Sequence, residues 1–303
     1  MTDFTSLQQK LSANSVCCAL KYNEPLSKHT SFRIGGAAEV MAFPQNTQEL
    51  SEILKLSALL DISPVILGAG TNVLAPDEGV SGIVICLKDC LDGMQQLNET
   101  DIRVMAGVTM TRAAVYAANL GLSGLEFAHG IPGTVGGGVF MNAGAYGGEI
   151  SHVCTHVTVM TRAGAIRELT AAQMLFSYRH SAVMESGDIV ISADFRLQPK
   201  ATEEIRAVMK DLMGRRSASQ PLDLPSAGSA FKRPVGGYAG ALIEQAGLKG
   251  FRVGNAAIST KHAGFAVNLG GATAADVKSL LQQVSDIVYE KSGIRLEPEV
   301  QIW

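Results

Sequence analysis

Gly130-Ile-Pro-Gly-Thr-Val-Gly-Gly-Gly-Val-Phe-Met-Asn-Ala-Gly-Ala-Tyr-Gly-Gly148 decides how the rest of this chain is read. Eight of these 19 residues are glycine, with no repeat period that would point to a fibrous or low-complexity segment. Glycine is favoured where backbone takes positive φ or passes close to another group. The stretch therefore predicts main chain wrapped around a large polyanionic group, held by successive backbone N–H groups. A bound nucleotide-like cofactor is expected before any catalytic residue is named.

A second glycine cluster, Gly68-Ala-Gly70-Thr-Asn72, follows the apolar run Val65-Ile-Leu67, which reads as a short buried strand. A dinucleotide fingerprint of the G-x-G-x-x-G kind fails here. Its third glycine is missing, and Pro76 and Gly79 prevent a long helix from following. Joined to the 130–148 stretch, the cluster predicts one half of a two-sided phosphate cradle that needs no such helix.

Composition sets the outer bounds. A chain of 303 residues is long for one core and predicts two or three domains. With 47% hydrophobic and 17% charged residues it belongs with ordinary globular proteins, and a net charge of −3 gives no basic footprint for nucleic acid. No apolar run approaches the roughly 18 residues needed to span a bilayer. The N-terminus lacks the pattern of a secretion signal, so a cytoplasmic protein is expected. Cys17, Cys18, Cys86, Cys90 and Cys154 are too few and too irregular for a disulfide framework, and no partner pair completes a zinc site. Buried free thiols and no metal are expected.

Periodicity predicts a helix opening at Thr47 on Leu50, Ile53 and Leu54, with Leu56, Leu59 and Leu60 widening the apolar stripe and Ser57 interrupting it. Further strands are expected at 83–87, 102–108, 153–161 and 189–197, and a helix from Thr111 to Leu120, stopped by Gly121. Residues 199–219 carry an amphipathic pattern on Ile205, Val208, Met209 and Leu212. Pro221, Pro225 and Pro234 then predict an extended loop. A last helix begins after Thr273, capped by Thr273 and Asp276 and stopped at Gly293.

The motifs that point to a family come in order: His29-Thr-Ser-Phe-Arg-Ile-Gly-Gly36, Leu67-Gly-Ala-Gly-Thr-Asn-Val-Leu74, Gly124-Leu-Glu-Phe127, Ile131-Pro-Gly-Thr-Val-Gly-Gly137 and Met141-Asn-Ala-Gly-Ala-Tyr-Gly-Gly-Glu149. Tyr178-Arg-His-Ser181, Pro225-Ser-Ala-Gly-Ser-Ala-Phe-Lys232 and Glu297-Pro-Glu-Val300 follow. Across residues 28–303 the chain resembles the UDP-N-acetylenolpyruvoylglucosamine reductases, flavoenzymes that complete UDP-N-acetylmuramate in bacterial peptidoglycan synthesis. The resemblance implies an α+β fold: an FAD-binding module of the vanillyl-alcohol-oxidase (PCMH) type, then a smaller α+β substrate domain. The division expected is an N-terminal segment 1–27, an FAD-binding domain 28–198 in two subdomains split near 90–100, and a substrate domain 199–303.

The same resemblance implies non-covalent FAD, NADPH as co-substrate and a UDP-sugar substrate, in a monomer or weak oligomer. NADPH and the sugar would use one pocket in turn, which accounts for the absence of a second dinucleotide fingerprint. For FAD it implies contacts from Arg33, Gly68, Ala69, Gly70, Thr71, Asn72, Ile131, Pro132, Gly133, Thr134, Gly137, Gly138, Asn142 and Gly144. It assigns Arg179, Ser229 and Glu299 as the catalytic set, with Ser226 the rival serine in the same loop. Lys232, Arg233, Arg215 and Arg216 are candidates for the diphosphate or an NADPH phosphate. Departures are His29, His129 and Gly138. His129 raises covalent flavin attachment as an alternative, and Tyr146 could stack on a ring or simply pack. The 50-residue spacing from Arg179 to Ser229 matches the compact subclass, which lacks an inserted tyrosine loop.

The chemistry supplies its own reasons for such a set. Hydride delivery to the vinyl carbon of an enol ether leaves charge on the carbon beside its carboxylate. A planar guanidinium stabilises that charge, and a carboxyl kept protonated by burial can donate to it. A hydroxyl then supplies the proton, which so weak an acid can do only for a strongly basic centre. An alcohol or lactone oxidase on the same fold would share the cradle but gives no reason for the Ser229 and Glu299 motifs. An inert nucleotide-sugar binding protein gives no reason for competent residues at all three positions.

Overall fold

The computed structural model describes residues 18–303, which form two compact units interleaved in sequence. The first unit holds residues up to Tyr22, Glu39–Ala69 and Ser81–Gly214. The second holds Asn23–Ala38, Gly70–Val80 and Arg215–Trp303. These outlines differ from the contiguous segments expected from sequence. The helix Thr202–Ser219 stays largely with the first unit because Ile205 and Met209 are buried in that unit's core. Cys17 and the N-terminal residues read for a secretion signal lie outside the described residues.

The strands Ala19–Pro25, Ala37–Phe43, Val80–Cys86 and Val65–Leu67, most of whose residues belong to the first unit, lie side by side in that order. The helix Thr47–Leu59 forms where the spacing predicts, with Leu50, Ile53, Leu54 and Leu56 buried, but Leu59, expected on the same stripe, ends the helix exposed to solvent. Asn46 starts it, its side chain accepting the Glu49 N–H at 2.9 Å. Ser57 does not break the buried face. It is fully buried and satisfies its hydroxyl on the Ile53 carbonyl at 2.6 Å, one turn back. This core ends in sequence at Leu91, with Met160, Ile189 and Ile191 added later, and a second core begins at Ile102.

The second core joins the helix Met110–Asn119 to a five-stranded antiparallel sheet. Its order is Ile166–Thr170, Cys154–Met160, Ile189–Arg196, Asp101–Met105, Met94–Gln96. The strand expected at 102–108 ends at Met105, and Thr109 caps the next helix by accepting the Arg112 N–H. Cys86, Cys90 and Cys154 are buried free thiols. Burial pushes Cys86 up and pushes Cys90 and Cys154 to about 12.

The second unit pairs Ser226–Ser229, Phe265–Asn268, Ala256–Ile258 and Arg252–Val253 into an antiparallel sheet under the helix Ala274–Ser292. That helix has the predicted capping box and stop. Asp77 also accepts its first free N–H groups, from Ala274 at 2.7 Å and Ala275 at 3.0 Å. The 70–80 segment is thereby tied into this unit, and Val73–Leu74 pairs in parallel with Gln301–Ile302.

Two forked ion pairs sit directly across the five-stranded sheet, Arg103 on Asp194 and Arg196 on Asp101. The Arg196 guanidinium holds the Asp101 carboxyl down to about 2, with Asn98 and Thr100 assisting. A depressed carboxyl contributes stability above its ordinary value of 3.8 and loses it as pH falls through about 2. Arg196 is largely exposed, so the effect is screened and modest. Urea unfolding of Asp101→Asn should therefore show a shallower loss of stability than wild type between about pH 4 and pH 2. Parallel slopes would contradict this.

Candidate functional site

The glycine-rich stretch folds otherwise than its composition predicts. Val135–Phe140 is a short helix, and of the eight glycines only Gly133 and Gly147 have positive φ. Gly136, Gly138, Gly144 and Gly148 are places where a side chain would not fit. A Cβ on Gly136 would come within 2.9 Å of Ala106 Cβ, on Gly138 within 2.7 Å of Met110 Sδ, and on Gly148 within 2.6 Å of the Phe127 ring. The helix's first N–H groups are already engaged. Val135 donates to Val108 and Gly136 to Ala106, while Gly137 donates to the Thr134 hydroxyl and Gly138 to the Thr134 carbonyl. Gly138 thus serves packing, and the N–H groups of Gly137 and Gly138 are spent on Thr134.

Thr134 joins this stretch to the other glycine cluster. It is buried, bridges Thr109, and sits so close that a Cβ on Gly68 would lie 2.7 Å from its hydroxyl. Gly68 of one cluster thus meets Thr134 of the other within the first unit. Within the first unit, Gly68, Ala69, Gly133 and Thr134 supply main-chain amides and a threonine hydroxyl with no carboxylate among them, a donor chemistry that suits a phosphate. His129, just before the stretch, has a buried Nδ1 with no hydrogen-bond partner among the described residues, while its carbonyl accepts from Thr111.

Beyond the short helix the chain turns through Asn142 at φ +42° into a hairpin, Gly144–Ala145 against Gly148–Glu149. Tyr146 and Gly147, both at positive φ, make its two-residue loop, as a type I′ turn requires. Tyr146 is 45% exposed there, so packing does not account for it. A second hairpin stands against the first: Ser177 and His180 exchange two backbone hydrogen bonds of 3.1 Å, with Tyr178 and Arg179 at its tip. Arg179 takes φ +56°, stacks its guanidinium 5.0 Å over the Tyr178 ring and donates Nη2 to Gly144 O at 3.4 Å. It is half-buried rather than the free surface arginine that its local sequence suggests.

In the second unit Ser229 ends a strand, where sequence predicts only loop. Three residue steps from Ser226 to Ser229 face two from Val267 to Phe265, so the strand bulges, and Gly228 takes up the bulge at φ +77°. Such bulges re-aim the next side chain. Ala230, immediately after, accepts the Glu299 N–H at 3.0 Å, and Phe231 bridges Pro298. The segments carrying Ser229 and Glu299 therefore run side by side, with Glu299 buried. Asn72 belongs to the same cluster. Its Nδ2 donates to Glu299 O at 3.1 Å, a fixing role that reading it as a cofactor contact did not anticipate.

The remaining candidates are more dispersed. Lys232 reaches Glu297 at 3.5 Å, and Arg233 stacks 4.3 Å over Tyr238. Arg215 lies exposed on the helix Thr202–Ser219, its carbonyl accepting from Ser219. Arg33 stands exposed at φ +55° on a turn closed by the Thr30 hydroxyl and carbonyl, while Asn268 holds the Phe32 carbonyl. Sequence reading gave no role to Glu149, Ser151 or Ser181, whose partners become visible only once both hairpins are built.

Similarity to known proteins runs through both units. Residues 38–170 match the family described as FAD binding domain, and residues 220–303 match UDP-N-acetylenolpyruvoylglucosamine reductase, C-terminal domain. The UDP-N-acetylenolpyruvoylglucosamine reductase of Agathobacter rectalis is 44% identical over 297 residues, covering 93% of each chain. That of Latilactobacillus sakei is 45% identical, again covering 93% of each chain. Among solved structures, the UDP-N-acetylenolpyruvylglucosamine reductase of Thermus caldophilus superimposes with a TM-score of 0.78 at 35% identity, covering 94% of this chain and 98% of that one.

The bulge makes a specific demand on residue 228. A Cβ there meets nothing within 4 Å, so Gly228→Ala tests conformation alone. At φ +77° it should destabilise the protein by about 1–2 kcal/mol and turn Ser229 away. Turnover should fall well beyond what the unfolded fraction explains, measured as activity per folded, flavin-loaded molecule. Unchanged specific activity would show that the bulge does not aim Ser229.

Proposed function

Because the chain belongs to the UDP-N-acetylenolpyruvoylglucosamine reductase family, we propose that it reduces UDP-N-acetyl-3-O-(1-carboxyvinyl)-glucosamine to UDP-N-acetylmuramate with NADPH. It is an FAD-dependent oxidoreductase of the vanillyl-alcohol-oxidase fold type. The observation that carries the reading is similarity at 44% identity across 93% of the chain, spanning both the flavin-binding part and the part that holds Ser229 and Glu299.

When bound, FAD supplies the hydride for the terminal vinyl carbon after accepting one from NADPH. The chain's own groups manage the charge that follows. Arg179 is assigned to the carboxylate of the substrate, where a planar guanidinium takes up the enediolate charge. Glu299, buried and with its main chain fixed by Ala230 and Asn72, is assigned as a hydrogen-bond donor in its protonated form. Ser229 gives its hydroxyl proton to the carbon beside the carboxylate, completing addition of one hydride and one proton across the double bond. The resulting alkoxide recovers a proton from solvent. Non-covalent FAD is assigned to Arg33, segment 68–72, segment 131–134 and Gly144, with Gly137, Gly138 and Asn142 shaping the cradle around it. Lys232, Arg233 and Arg215 are the proposed diphosphate contacts.

A place in peptidoglycan synthesis, and through it in cell shape and division, follows from the proposed product, and so does work in the cytoplasm. Among the described residues no helix is long and apolar enough to cross a membrane.

One cuvette tests the whole reading. The oxidised protein should show flavin bands that NADPH bleaches anaerobically and the enolpyruvyl UDP-sugar restores. Bleaching without restoration would discard the substrate, and a protein that takes up no FAD would discard the reading. Ser229→Ala should bleach like wild type yet lose turnover by a factor of roughly 10² to 10⁴. Turnover at the wild-type rate would remove Ser229 as proton donor.

A further inference from the structure

Glu149 ends the 144–149 hairpin, half-buried, and no step above uses it. Its carboxylate accepts from the Ser151 hydroxyl and from Asn142 Nδ2, the latter at 3.2 Å. Those two bonds, Ser151's the stronger, hold it below the usual range, and the charges of His152 and Arg179 add to this. Asn142 is 1% exposed and every arm of its amide is used. Besides Glu149, Nδ2 donates to Ser177 O at 3.0 Å, and Oδ1 accepts the Ser151 N–H at 2.9 Å.

Ser177 is the foot of the hairpin whose tip is Arg179. The hairpin's other end is pinned as well, since fully buried Ser181 donates to Phe140 O at 2.7 Å. We propose that Glu149 is a positioning residue for Arg179, acting through Asn142 to lock the 177–180 hairpin against the 144–149 hairpin. An arginine held in the left-handed region is strained and stays there only when its surroundings over-determine it. The Glu149–Asn142–Ser177 chain on one side and Ser181–Phe140 on the other supply that excess of constraint. A carboxylate is suited to the first position because it accepts from Asn142 and Ser151 together. It thereby fixes the orientation of the Asn142 amide, and with it the direction in which Nδ2 meets Ser177.

The proposal rests on reading Arg179 as the stabiliser of the substrate's developing charge. Its test uses the full-length, FAD-loaded protein, with the flavin reduced anaerobically by dithionite and then mixed with the enolpyruvyl UDP-sugar. Glu149→Ala should slow flavin reoxidation by about a hundredfold, the order of loss for a misplacement of about 1 Å. Glu149→Gln, which keeps an acceptor for both partners, should recover most of that rate. In an Arg179→Ala background Glu149→Ala should add nothing, because both changes remove one function. A merely structural role would instead multiply the two losses, and that result overturns the proposal. So does a wild-type rate in Glu149→Ala, or failure of glutamine to rescue. If Glu149→Ala loses its flavin, Ser181→Ala carries the same comparison from the hairpin's other end. Wild-type protein that the sugar does not reoxidise, or an Arg179→Ala variant as fast as wild type, overturns the parent reading and Glu149's role with it. Either result is distinct from a failure of Glu149 alone.

Discussion

Exclusion of side chains from a few backbone positions is the constraint on which the first unit depends. Gly68 has Thr134 against it, Gly136 has Ala106 and Gly138 has Met110, each closer than any Cβ tolerates. One methyl at Gly68 or Gly136 would push apart the segments that bring the two glycine clusters together. Interiors as dense as a protein core do not absorb such a shift locally. The cradle is thus built by contact first, and only Gly133 and Gly147 within the long stretch use the conformations that glycine alone adopts easily.

That distinction is invisible in sequence. A glycine that must turn and a glycine that must not collide are the same letter, so reading the 130–148 stretch as turns around an anion left its helix unseen. The amphipathic helices were legible because periodicity states which face is buried, and caps state where helices begin. Thr273 caps as predicted, whereas the caps at Asn46 and Thr109 were not predicted although their residue types suit them. The strand at Ser229 was not legible, because Pro225 and Gly228 read as loop. What makes it a strand is the Phe265–Asn268 partner, nearly forty residues on.

The candidate site divides the same way. Arg179, Ser229 and Glu299 were found through ordered motifs, since a serine after glycine or a glutamate near a chain end has no local signature. Their supports lay beyond even that reading. Asn142 reaches Ser177 across 35 positions and Asn72 reaches Glu299 across 227. No local rule connects such pairs, although both asparagines stand in the quoted motifs. Each secures main chain beside a proposed catalytic residue with a side-chain amide, a group that can bind two backbone segments at fixed angles without adding charge.

Backbone strain reaches some of the same residues, although Asn23, Asp61, Asp89 and Leu175 share it outside the motifs. Arg33, Asn142, Tyr146 and Arg179 all sit at positive φ, and each belongs to or borders a motif with a proposed function. Asparagine accepts that conformation readily, but arginine and tyrosine adopt it only under compulsion. For Tyr146 the compulsion is a two-residue turn that closes its own hairpin. For Arg179 the closure of the hairpin is not enough, because a two-residue tip could tilt as a body and carry the guanidinium off Gly144. The contacts at Ser177 and Ser181 prevent that tilt, and they join the hairpin to the chain immediately flanking the short glycine helix. The short helix packed through Gly136 and Gly138 thus carries, at and just beyond its end, the Phe140 carbonyl and the Asn142 amide to which the Arg179 hairpin is bonded.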